Sequence, residues 1–106
     1  YKELGLNATQ IDTFKSKKED YFKEMKPIWG EIRELKDSLY RNMGTLGQDS
    51  SANTLIILIN DKNKLADQKT FHHFITLRRL LDSSQQIKFD TSIAKMMNRP
   101  WNRNRK

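Results

Sequence analysis

The chain has no cysteine, two prolines, four glycines and two histidines. Without cysteine, neither a disulfide framework nor a thiolate metal site can form. No glycine-rich loop is present to cradle a phosphate. No nucleophile, base and orienting group stand at a recognisable spacing, so catalysis is not expected. The longest apolar run, Leu55 to Ile59, falls far short of the roughly 20 residues that a membrane-spanning helix needs. There is no low-complexity tract and no solenoid-type repeat.

What the chain does contain suits one small domain. Its 106 residues are enough for a single unit, and 36% apolar against 31% charged residues is a lean balance. It fits long amphipathic helices with little enclosed core, for which a second copy would supply the missing burial. The net charge is +7, and more than half of it comes from Arg99, Arg103, Arg105 and Lys106. We therefore divide the chain into a helical domain over 1–98 and a basic tail over 99–106. The tail, with Trp101, raises nucleic-acid binding as a reading. No recognition-helix motif accompanies it, and much of the remaining charge is balanced by Glu and Asp within the same helices, so no nucleic-acid partner is expected.

One pattern occurs near each end. Leu6-Asn7-Ala8-Thr9-Gln10 and Leu81-Asp82-Ser83-Ser84-Gln85 each place a capping residue after a leucine and three residues before a glutamine. That is the spacing of a capping box, in which cap and glutamine satisfy each other's backbone N–H groups. Each copy predicts a helix start. Phe14 and Phe89 follow their glutamines by one turn and lie on the same helical face.

From Asn7 to about Asn42 the apolar residues Ile11, Phe14, Tyr21, Met25, Ile28, Ile32, Leu35 and Leu39 follow a heptad spacing. Lys18 interrupts the seam, and Phe22 and Trp29 widen it. This predicts one long helix or two in line, kinked near Lys23 to Pro27 where proline removes a backbone hydrogen bond. Gly44, Gly47 and Gln48-Asp49-Ser50-Ser51 read as the turn of a helical hairpin. Thr54 to Ile59 is strand-like in composition, but no second strand exists to pair with it. A helix over 51–81 satisfies its backbone instead, with fraying near Asn60-Asp61 and Asn63. A last helix runs from Ser83 to about Asn98, with Phe89, Ile93, Met96 and Met97 inward, and Pro100 ends it.

The two boxes, and above all the stretch from Phe71-His72-His73-Phe74 through Leu77-Arg78-Arg79-Leu80-Leu81 to Gln85, resemble the LTxxQ family of small periplasmic proteins. That family takes in Spy-type chaperones, the stress regulator CpxP, and the metal-associated members ZraP and CnrX. Asn7 and Asp82 replace the usual threonine, and both cap at least as well. The resemblance implies an all-α fold: four helices in a hooked hairpin, two copies of which pack into an antiparallel cradle. Leu6, Asn7, Gln10, Leu81, Asp82 and Gln85 are then structural anchors. The chain opens on Tyr1 rather than methionine, and a periplasmic location with a signal peptide or membrane anchor upstream is the expectation.

Functionally, the resemblance implies an ATP-independent, chaperone-like binder of unfolded or misfolded envelope proteins, or an envelope-stress regulator. Phe22, Met25, Trp29, Phe71, Phe74 and Met97 are the expected client surface, adaptable and apolar. With lysines and arginines of the same helices they suggest a face both basic and apolar. The alternative is a membrane-anchored sensor of zinc, nickel or cobalt acting on a signalling or anti-sigma partner. His73 matches the ligand histidine of the metal-sensing members. His72 and His73 point about 100° apart on a helix, so a zinc or nickel site would need one of them together with carboxylates of the facing helix, such as Glu19, Asp20 or Glu24, or with a dimer mate.

Overall fold

The computed structural model describes residues 4–46 and 50–98. Four helices make up these residues: α1 (Ala8–Arg41), α2 (Met43–Leu46), α3 (Ser51–Arg78) and α4 (Ser83–Met97). The expected basic tail at 99–106 and the turn residues 47–49 lie outside them.

Both capping boxes form. Asn7 Oδ1 accepts from the Gln10 N–H at 2.8 Å, and Gln10 Oε1 accepts from the Asn7 N–H at 3.0 Å. Asp82 and Gln85 repeat the arrangement at 2.8 and 3.0 Å. Each cap residue is extended, with ψ of 172° at Asn7 and 174° at Asp82, so the chain enters each helix at the same angle.

α1 runs through Pro27 without a break, so the division of this segment into two helices does not occur, and the fourth helix is the short α2. Proline removes one hydrogen bond, the one the Lys23 carbonyl would accept, and both residues lie on the exposed side of α1. Meanwhile Met25, Ile28 and Ile32 are packed with Ala66 of α3, which holds the helix on both sides of the defect. α3 is continuous from Ser51 through Asn60, Asp61 and Asn63, and ends at Arg78 rather than at 81. Tight i→i+3 bonds from the N–H groups of Leu80 and Leu81 close its last turn before Asp82 turns the backbone extended for the next cap.

α1 and α3 pack antiparallel. Lys62 pairs with Glu31 at 2.9 Å, Lys69 with Glu24 at 3.3 Å, and the Tyr21 hydroxyl lies 2.7 Å from that of Thr70. The partners move toward the N-terminus of α1 as they move toward the C-terminus of α3. The body measures 57 × 30 × 20 Å, about two helix diameters thick, and two small clusters form its core. Phe14, Leu77, Leu81 and Phe89 make one, with Leu4, Leu6, Phe74 and Ile93 against it; Met25, Ile28, Ile32 and Ala66 make the other, beside Tyr21. Met25 is the only described side chain exposed by less than 2%. This matches the lean composition.

Candidate functional site

The two helix starts meet. Gln10 Nε2 donates to Gln85 Oε1 at 3.0 Å and to the Leu80 carbonyl at 3.0 Å, while Gln85 Nε2 donates to Gln10 Oε1 at 3.1 Å and to the Gly5 carbonyl at 2.9 Å. Leu80 and Gly5 each stand two residues before a cap, so the junction has a local two-fold symmetry. Counting the box bonds, each amide uses two donors and two acceptor positions, the full capacity of a glutamine side chain. Gln85 is accordingly the one polar residue that is buried among the described residues. Gly5 reaches its place with φ of +68°, a left-handed conformation that a side chain would strain.

Behind the junction, Phe14 and Phe89 meet edge to face with centroids 6.4 Å apart, and Phe74 meets Phe89 similarly at 6.3 Å. α4 is tied to α3 a second time by Arg78, whose Nε and terminal nitrogen donate to the two oxygens of Asp90 at 2.8 and 3.0 Å. Those hydrogen bonds hold the Asp90 carboxyl below the usual carboxylate range and raise Arg78.

This clasp frames a groove of about 550 Å³ between three helices. α1 contributes Phe14, Lys18, Tyr21, Phe22 and Trp29, the stripe that one helical face generates at this spacing. α3 brings Thr70, His73, Phe74 and Leu77; α4 brings Phe89, Ile93, Met96 and Met97. Several of these apolar side chains are uncovered: Trp29 is 37% exposed, Phe22 38% and Met97 55%. Met96 and Met97, expected inward, line the groove at the end of α4, two turns beyond the buried Phe89, and are 48% and 55% exposed.

Tyr21 and His73 separate the groove from the opposite face of the helix pair. Their rings stack with centroids 4.2 Å apart at 15°, and burial pushes the His73 imidazole below its ordinary pKa. On the far side they border a polar depression of about 370 Å³ with Lys17, Asp20, Glu24, Lys69, His72 and Thr76. Glu24 is already paired with Lys69, and Glu19 lies elsewhere, beside Lys15, Lys18 and Phe22. Among the described residues, no group of three or more His, Asp and Glu side chains is placed to hold a metal ion.

The groove therefore brings together Phe22, Trp29, Phe74 and Met97 of the expected client surface, but not the other two. Met25 is fully enclosed, because its position on α1 faces α3 directly, and belongs to the core. Phe71 is 62% exposed and does not line the groove; its ring lies near that of His72, at 6.2 Å. The face expected to be both basic and apolar is divided as well. Lys18 is the one Lys, Arg, Asp or Glu lining the groove among the described residues, Lys17 lies across the Tyr21–His73 partition, and Arg33 and Lys36 flank Tyr40 further along α1. Sequence reasoning overlooked Gly5 and the role of Lys18. The signal for Lys18 was present, since a lysine interrupting an apolar seam marks where that seam faces something other than core.

In comparisons with family models, with curated proteins and with solved structures, the chain has no match.

Proposed function

We propose that this chain is a periplasmic stress-protective protein of the LTxxQ kind that holds unfolded or misfolded exported proteins without ATP. The observation that carries the reading is the groove: an adaptable apolar surface of aromatic and methionine side chains left uncovered between three helices. A client inserts apolar side chains there while its own backbone stays in water. The paired boxes support the family resemblance, because they give both motif copies one structural task.

The finer architecture belongs to the same proposal. The helices form a hooked hairpin, and two copies associate into an antiparallel cradle. α3 is the expected contact, since Ile56, Ile57, Leu58 and Leu65 are all more than a third exposed in one chain. That burden of uncovered apolar surface suits an obligate interface. A monomeric mass by light scattering would contradict it.

The test is aggregation of a reduced, unfolding model client with stoichiometric protein, without ATP, in the presence and absence of zinc. Protection independent of zinc, and diminished by Trp29→Ala, is the expected result. Absent protection, or protection that appears only with zinc, would overturn the holdase reading in favour of a metal sensor working through His73.

A further inference from the structure

We propose that the groove is also a binding site for a long-chain carboxylate: a single-chain fatty acid whose tail lies along the aromatic and methionine lining and whose head pairs with Lys18. The site's size fits, since about 550 Å³ lies within the ~300–1,000 Å³ usual for small-molecule clefts.

Hydrogen-bonding capacity argues for an alkyl chain. The hydroxyls of Tyr21 and Thr70 are 2.7 Å apart and share one hydrogen bond, which leaves a single O–H between them to offer a guest, and the His73 ring is stacked face-on against Tyr21. Ser92 is the remaining hydroxyl on the lining. A peptide laid whole into the groove would bring one N–H and one C=O per residue and leave most of them unmatched. A polymethylene tail brings none.

Charge selects the head group. Lys18 Nζ sits 5.9 Å from the centroid of the Phe22 ring, and no carboxylate among the described residues pairs with it. An ammonium held beside an apolar lining gains more from an anion than one fully in water. A cationic or neutral head gains nothing there. The inference is independent of the holdase reading, which needs side chains to enter the groove but no extended guest to lie in it.

The experiment uses the full chain carrying Trp101→Phe, so that Trp29 fluorescence reports on the groove, with calorimetry alongside. Laurate, below its micelle concentration, is compared with dodecyltrimethylammonium and with vesicles of anionic phospholipid. Saturable one-to-one laurate binding is expected, weakened about fivefold or more by Lys18→Gln, as for loss of a partly desolvated ion pair, and further by Lys18→Glu. Lys18→Glu should also shift preference toward the cationic amphiphile. Ser92→Phe, which fills the groove from the α4 side, should abolish binding while leaving the helical circular dichroism unchanged. Equal binding of both head groups, laurate binding unaffected by Ser92→Phe, or binding to vesicles without binding of free laurate would each overturn the proposal. Client protection persisting without laurate binding would overturn this inference alone.

Discussion

Replacing Gln85 by alanine tests the clasp directly. The substitution removes four hydrogen bonds, to Gly5, to Asp82 and twice to Gln10. At a net ~0.5–1.5 kcal/mol each their sum spans a wide range. The groups left behind lie near the surface and can recover water, so the lower part applies, about 2–3 kcal/mol. At about 4–8 °C per kcal/mol for a domain of this size, the melting temperature followed by circular dichroism should fall by about 10–20 °C. Gln10→Ala should cost a similar amount. Two of the bonds are shared, so the double variant should cost about 1–2 kcal/mol less than the two single costs together. Additivity to within about 0.5 kcal/mol would refute the reciprocal pairing. Gln85→Glu sharpens the test, because it keeps the shape but replaces two donors with an acid facing carbonyl oxygens. Its folded pKa would be raised, so its deficit should be smallest below about pH 4 and grow as pH rises.

Met25→Ala should destabilise the chain by about 2–5 kcal/mol, as for a fully enclosed side chain, whereas Phe71→Ala should stay within about 0.5 kcal/mol; urea denaturation at fixed protein concentration separates them. Gly5→Ala should cost about 1–2 kcal/mol from the left-handed backbone alone, since nothing lies within 4 Å of the added carbon, and a matching cost for Gly5→Asn would count against that explanation. Burial lowers the folded-state pKa of His73, so the unfolded chain takes up its proton more readily. Stability should therefore fall as pH drops below the ordinary histidine value and level off once the folded form is also protonated. Melting temperatures from pH 8 to 5 should show that decline, and His73→Gln should flatten it.

The helices were legible wherever local chemistry decides them. Asn7 and Asp82 with their glutamines dictate two starts by hydrogen bonding within four residues, and both formed as boxes. The Leu55–Ile59 run was correctly read as helix despite its β-branched residues, because an unpaired strand has no place for its backbone groups. What escaped was tertiary. Met25 lies in the apolar seam of α1, yet sequence reasoning groups it with Met97 as adaptable surface; that Met25 is enclosed against α3 while Met97 lines the groove is settled only once the helices pack. At Pro27 the local rule left one helix or two in line open, and the helix is continuous, with packing against α3 on both sides of the proline. Phe71 lies three residues from Phe74, but the helix turns its ring out of the groove. That Gln10 and Gln85 bond to each other follows from neither box alone.

The bond between those two glutamines joins positions 75 residues apart, and this separation sets an order of events. Closing so long a loop directly is entropically unfavourable, but once α1 and α3 have zipped together along their shared length the two boxes are already neighbours. The contact is thus a terminal step in folding, formed on a scaffold that shorter-range pairings have assembled. By the same reasoning it is the natural first site of partial opening. Exchange of the Asn7 and Asp82 amide hydrogens then reports whether the whole chain has closed, and it does so from the end of the molecule farthest from the α1–α3 turn.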